Sequence, residues 1–261
     1  MTSPIHVAAF EGTSRVAGIA LGALRLLTAL RECAGATPGA TGEASSRLAA
    51  YLESPVIVRE VTKNSAMVCR KVRAAAEAGD CRLLLGGEHL VTFPVLEVMV
   101  KRHPGLKLVV LDAHHDAYPH PLLNHWSLFH FATRELEIPT LVVGARHELD
   151  RADSACQILS ADDVRERGVD AALDRIGDFV GGAPFYFSVD VDVVDPKTLR
   201  AVSDPVPGGI SGDELLAFVR GVLGRQPVAM DVVEYNALRD HDASGLAVLR
   251  PMLVEVARWL A

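Results

Sequence analysis

Asp112, His114 and Asp116 stand at alternate positions directly after the apolar run Leu108-Val109-Val110-Leu111. If that run continues as a β-strand, the three side chains leave the backbone on one face, because side chains alternate along a strand. Asp190 and Asp192 follow a second apolar run, Phe185-Tyr186-Phe187-Ser188-Val189, with the same spacing. Two strands of a parallel sheet ending side by side would gather four carboxylates and an imidazole. Neither 108–133 nor 176–196 contains a Lys or Arg to neutralise them. Carboxylates a few ångströms apart repel one another unless a cation lies among them. Two divalent ions would cancel the four negative charges. A ligand set rich in oxygen, with some imidazole and no thiolate, suits manganese or magnesium better than zinc of the Cys/His type. One Asp-x-Asp pair could simply end a strand; two matching runs point to metal.

The elements that must position these residues follow from periodicity and breakers. Strands are expected at Ile5 to Phe10, Val56 to Val61, Arg82 to Leu85, around 108–111, Thr140 to Gly144, Pro184 to Asp190 and Val228 to Val233. Helices are expected over Ile19 to Leu30, Ala66 to Ala78, from just after His89 to Arg102, Ser127 to Leu136, Ala171 to Val180, Ser211 to Leu223 and Ser244 to Leu260. Ser211-Gly212-Asp213-Glu214 has the form of a capping box that opens one of them. Gly35 to Ser46 and Pro196 to Gly209 are expected as loops. Strands alternating with helices imply a three-layer α/β sandwich with a mainly parallel central sheet, whose sites lie at the carboxyl ends of the strands. His89, Asp112, Asp190 and Glu234 each sit where an apolar strand stops, so four strands aim polar groups at one edge.

The 261 residues are 49% hydrophobic and carry a net charge of -7, enough for one large core, and 1–261 is expected as a single domain. The acidic balance favours neither nucleic acid nor an anionic membrane surface as partner. No apolar run reaches the roughly 18 residues of a spanning helix, and the N-terminus lacks a basic region followed by an apolar stretch, so a cytoplasmic protein is expected. Cys33, Cys69, Cys81 and Cys156 show no CxxC spacing and fit buried, reduced thiols.

Several stretches together resemble the ureohydrolases, the arginase and agmatinase superfamily, from about Leu84 to the C-terminus. Gly86-Gly87-Glu88-His89-Leu90-Val91-Thr92-Phe93-Pro94 is similar to the GGDH-x-VT-x-P stretch of the agmatinase branch, and Asp112-Ala113-His114-His115-Asp116-Ala117-Tyr118 to its DAHxDxY. Ser188 to Pro196 resembles SxDxDxxDP, Met230 to Glu234 resembles MDVVE, and Val143 to Arg146 resembles IGIR. The resemblance implies an arginase-like fold and a site of two Mn2+. One ion would be held by His89, Asp112, Asp116 and Asp190, the other by Asp112, His114, Asp190 and Asp192. It implies further that a metal-bridging hydroxide attacks a guanidinium carbon, releasing an amine and urea, and that Asp116 accepts a hydrogen bond from that hydroxide. Glu234 would orient the guanidinium, and His125 would pass a proton to the leaving amine. Family members commonly form trimers or hexamers, so a homo-oligomer acting on a small guanidino substrate is expected.

The departures from the family pattern bear on substrate. Glu88 replaces the usual Asp beside the ligand histidine and is expected behind the metal site; His125-Trp126-Ser127 replaces HG[TS]; Asn124 replaces a frequent Asp; Leu199 to Asp204 replaces APGTG. Trp126, Asn124 and His120 are therefore candidate substrate contacts beside Glu234, whereas Arg200 reads as an exposed loop residue. His115 should face away from His114 and pack internally. A formimino or N-hydroxyguanidino hydrolase of the same superfamily, and a metal-binding homologue without catalysis, are the alternatives.

Overall fold

The computed structural model describes residues 3–12, 14, 16–35, 43–60 and 63–261. Its strands are β1 (Ile5–Ala9), β2 (Val56–Arg59), β3 (Leu83–Gly86), β4 (Lys107–Leu111), β5 (Thr140–Ala145), β6 (Gln157–Ser160), β7 (Phe185–Asp190) and β8 (Ala229–Val233). They form one sheet in the order β2-β1-β3-β8-β7-β4-β5-β6, with every neighbouring pair parallel. β3, β7 and β8 are buried along their whole length because both faces are covered. Alternation divides their side chains between two cores. Phe185, Phe187 and Val189 join one core with α1 (Ile19–Gly35), α2 (Glu43–Glu53), α6 (Ala161–Val180), α7 (Gly212–Leu223) and α8 (Ser244–Leu260). Tyr186 joins the other with α3 (Ser65–Ala78), α4 (Thr92–Arg102) and α5 (Leu128–Arg134). The result is the expected three-layer α/β sandwich.

The capping box at Ser211 and Glu214 forms as expected and opens α7. A second one, Ser160 with Asp163, opens α6, which starts ten residues before the expected helix and is interrupted where Gly168 takes φ 84°. β6 was not expected; it is an edge strand whose residues are exposed or half-buried, so it lacks the apolar signature of the inner strands. Residues 43–46, expected within a loop, begin α2 instead, while 36–42 lie outside the described residues. Likewise β2 ends at Arg59, and Val61 lies outside them. The central strand stops at Leu111, so Asp112 to Asp116 do not continue it. No helix among the described residues is long and apolar enough to cross a membrane.

Candidate metal centre and active site

Strands β3, β8, β7 and β4 are neighbours in the middle of the sheet, and all four expected acidic or histidine-bearing ends fall at their carboxyl edge. Leu111 pairs with Val189, which sets the two acidic runs side by side. Each run then makes the same turn around its first aspartate: Asp112 Oδ1 accepts the His114 N–H at 2.7 Å, and Asp190 Oδ1 accepts the Asp192 N–H at 2.9 Å. Asp192 Oδ1 ties the runs together by accepting the Ala113 N–H at 3.0 Å. Asp116 swings back toward His89 because its backbone takes the left-handed region at φ 44°, and Glu234 does the same at φ 65°. A left-handed backbone at a residue with a side chain costs about 1–2 kcal/mol. The carboxylates thus converge through turns and strained backbone, not through strand alternation.

His89 Nδ1 lies 3.2 Å from Asp112 Oδ2, 3.2 Å from Asp116 Oδ2 and 3.3 Å from Asp190 Oδ2. His114 Nδ1 lies 2.9 Å from Asp192 Oδ2 and 3.6 Å from Asp112 Oδ1. Two ligand-like groups result, His89-Asp112-Asp116 and Asp112-His114-Asp192, each with its atoms within 4.8 Å of one another and with Asp112 common to both. His89 Nδ1 and Asp112 Oδ2 are buried and have no hydrogen-bond partner. Orphaned polar atoms facing one another are costly in a protein interior but are what a cation needs. Burial disfavours charge on His89 and His114, yet the surrounding carboxylates hold both imidazoles well above the usual histidine range. Burial and the neighbouring Asp192 and Asp112 push Asp190 far up. The donor set fits two divalent cations sharing Asp112.

Behind His89 runs a closed polar network. Ser188 Oγ donates to Asp231 Oδ1 at 2.6 Å, so its 2.9 Å contact with His89 Nε2 must accept the imidazole proton. Asp231 Oδ2 accepts Tyr186 Oη at 2.9 Å and Thr92 Oγ1 at 2.7 Å. Asp231, Ser188 and Thr92 are fully buried. One proton is thereby held on Nε2 by Ser188, so that when a cation displaces the proton on the carboxylate side it meets the Nδ1 lone pair.

Above this floor opens a cavity of about 190 Å³ whose walls include Asp116, His125, Trp126, Asp204 and Glu234. Glu234 Oε1 accepts the His89 N–H at 2.8 Å. Burial pushes the Glu234 carboxyl up to about 8, against the pull of His125 and with a push from Glu88. His125 Nδ1 lies 3.4 Å from Glu88 Oε1. Burial lowers the imidazole's affinity for its proton, but Glu88 and the carboxylates of Asp116 and Glu234 more than offset this, and its pKa is raised. Gly86 and Gly87 allow the turn that brings Glu88 and His89 here: a Cβ on Gly87 would lie 2.1 Å from the Phe10 carbonyl oxygen.

All six expected metal ligands, with His125 and Glu234, therefore meet at one edge. Trp126 lines the cavity but is 42% exposed, a wall and not core. Asn124 and His120 line an adjoining outer chamber and not the inner cavity, and Asn124 is engaged in shaping its own loop, its Oδ1 accepting the Trp126 N–H at 2.9 Å. His115 is buried and stacks against Tyr118, with ring centroids 4.2 Å apart, as expected of a packed residue. Sequence reasoning missed Asp204, 3.7 Å from His114 Nε2, and Arg146, whose guanidinium caps the carbonyls of Asp192, Val193 and Val206 and so holds the segment that carries Asp204.

Residues 4–255 match the arginase family. Agmatinase from Citrobacter koseri is 36% identical over 201 residues, which cover 72% of this chain and 65% of that protein, and agmatinase from Salmonella newport matches to the same extent. The match thus spans a little under two thirds of the length of these curated relatives. Among solved structures, proclavaminate amidino hydrolase from Streptomyces clavuligerus superposes with a TM-score of 0.81 at 25% identity, over 98% of this chain and 90% of that one. A hypothetical agmatinase from Burkholderia thailandensis superposes with a TM-score of 0.82 at 24% identity, over 98% and 83% of the two chains.

Proposed function

The chain belongs to the arginase family, and on that premise we propose that it is a manganese-dependent amidinohydrolase, converting a guanidino compound and water into an amine and urea. The observation that carries this reading is the pair of buried, partnerless ligand atoms, His89 Nδ1 and Asp112 Oδ2, at the centre of four aspartates. His89, Asp112, Asp116 and Asp190 would hold one ion, and Asp112, His114, Asp190 and Asp192 the other. When bound, the metal pair supplies the Lewis acidity that makes water a nucleophile near neutral pH.

The chain's own side chains account for the rest. A guanidinium is planar, stays protonated and presents its N–H groups in a fork. Glu234 meets that fork: the His89 N–H anchors one of its oxygens, and an arriving cation favours its ionised form. Asp116 would accept the proton that water gives up as its oxygen adds to the guanidinium carbon; the bond from that carbon to the tail nitrogen then breaks, and the hydroxyl proton left on the oxygen is lost to solvent as urea forms. The leaving nitrogen takes its proton from His125, whose charged form Glu88 stabilises. Trp126 closes one side of the cavity and limits water there. The same reading expects residues 1–261 to act as one ureohydrolase domain in the cytoplasm, where the four buried free thiols would stay reduced, and to assemble as trimers or hexamers.

The test is urea release by manganese-loaded protein from agmatine, arginine, guanidinobutyrate and butylguanidine. Urea from any of them supports the reading. Two bound manganese ions with formamide from a formimino compound and no urea would replace it by the formimino alternative; two bound ions with no turnover of either kind would leave a non-catalytic metal protein.

A further inference from the structure

Beyond the inner cavity lies an outer chamber of about 420 Å³, more than twice as large, and the two share His114, Trp126 and Asp204 as common wall. The two cavities thus adjoin at these residues, and a tail running past Trp126 from a guanidinium at Glu234 would meet the outer one. We propose that this chamber is a second subsite that takes an uncharged, ring-bearing group at the far end of the guanidino substrate's tail; the proposal rests on the amidinohydrolase reading for the identity of the head group.

The chemistry of the walls sets the class. Tyr118, His120, Trp126 and His147 present four rings to the chamber. Its two charged side chains other than Asp204 are spent on one another: Arg151 Nη1 donates to Glu148 Oε2 at 2.9 Å, and the same oxygen accepts the Tyr118 hydroxyl. Arg151 also lies over the Tyr118 ring, 5.1 Å from its centroid. Among the described residues, Asp204 is thus the one lining carboxylate or guanidinium outside that pair; it lines both chambers, with its side chain 80% exposed and so open to water. Rings stack on rings and gain from burial, while an anionic end finds no unpaired guanidinium there and a cationic end gains little from a carboxylate as exposed as Asp204. The His147 ring, half-exposed, lines the outer chamber edge-on to His114, with 5.7 Å between centroids.

The experiment compares N-(4-guanidinobutyl)benzamide, agmatine and butylguanidine on manganese-loaded full-length protein, by urea release and by calorimetric binding. The expected result is a kcat/KM for the benzamide at least about tenfold above those of the other two, which is the scale of burying one ring. His147→Ala should shrink that preference at least about threefold, mainly through KM. Equal affinity for the three compounds, a preference for agmatine, or a preference that His147→Ala leaves intact would each overturn the subsite. Tighter binding of the benzamide, sensitive to His147→Ala but with no urea from any compound, would keep the subsite and sink the amidinohydrolase reading instead.

Discussion

Replacing Asp231 by Asn should weaken metal binding although Asp231 touches no candidate ligand atom. The carboxylate takes three hydroxyl donors, from Ser188, Tyr186 and Thr92, in a fully buried setting. An amide of the same shape has one accepting atom and one donating group. If its nitrogen faces Ser188, that hydroxyl must reverse and donate to His89 Nε2, which moves the imidazole proton to Nδ1, the atom that faces the carboxylates. If its oxygen faces Ser188, the Tyr186 and Thr92 protons lose their acceptor, about 1–3 kcal/mol for each buried group left unpaired. The first arrangement removes a ligand lone pair and the second destabilises the support beneath it. Loss of such an outer partner typically lowers metal affinity about 10–100-fold, or roughly 1.4–2.8 kcal/mol. Titrating metal-free protein with manganese against a competing chelator measures the change. Thr92→Val removes one donor and leaves the Ser188 relay in place, so its affinity should stay within about threefold of wild type. Ser188→Ala combined with Asp231→Asn should cost less than the two single effects added, because both break one chain of hydrogen bonds. An Asp231→Asn protein that unfolds more easily yet binds manganese with wild-type affinity would refute the relay and leave Asp231 a purely structural residue.

Three further outcomes are expected. His125→Ala should lower turnover about 10²–10⁴-fold while metal analysis still finds two ions per chain, since His125 lies on the cavity wall and not among the ligand atoms. Manganese affinity should rise with pH: the carboxylates hold protons on His89 and His114 in the metal-free protein, binding must expel them, and calorimetry in buffers of different ionisation enthalpy should find protons released, with none released refuting the point. Burial lowers the pKa of His6 to about 4, so between pH 6.5 and 4 the unfolded chain holds more protons than the folded one. Its contribution to stability is complete above about 6.5 and lost as pH falls, with a slope of at most about 1.4 kcal/mol per pH unit. Urea unfolding of His6→Leu should show a flatter acid limb than wild type.

The parts legible in the sequence were those governed by local pattern. Runs such as Phe185 to Val189 are apolar at every position because parallel strands in the middle of a sandwich are covered on both faces. β6 carries no such mark: at the sheet edge Leu159 packs on one core and Ile158 on the other, each only partly buried, between the polar Gln157 and Ser160. The convergence of Asp112, His114 and Asp116 was anticipated from alternation but is achieved by an aspartate-centred turn and by the left-handed backbone at Asp116, which the same residue spacing does not reveal. The outer chamber was invisible for a different reason: Tyr118, His147 and Asp204 come from three separate loops, and loop-to-loop distances leave no periodic trace.

Asp231 shows where sequence reasoning could have gone further. It lies in a strand otherwise made of Ala, Met and Val, flanked on both sides by other strands, where a carboxylate cannot reach water. A buried carboxyl in that position requires several donors or a shifted pKa. The neighbouring strand β7 carries hydroxyls at Ser188 and Tyr186, and Ser188 pairs directly with Asp231 in the sheet register. Once β7 and β8 are taken as neighbours, the polar pair inside two apolar strands has no reason to exist unless it holds something else in place. The residue it reaches is His89, at the end of the adjoining strand β3. The network beneath the metal site was therefore recoverable from two misplaced polar residues, given the strand order that only the fold supplies.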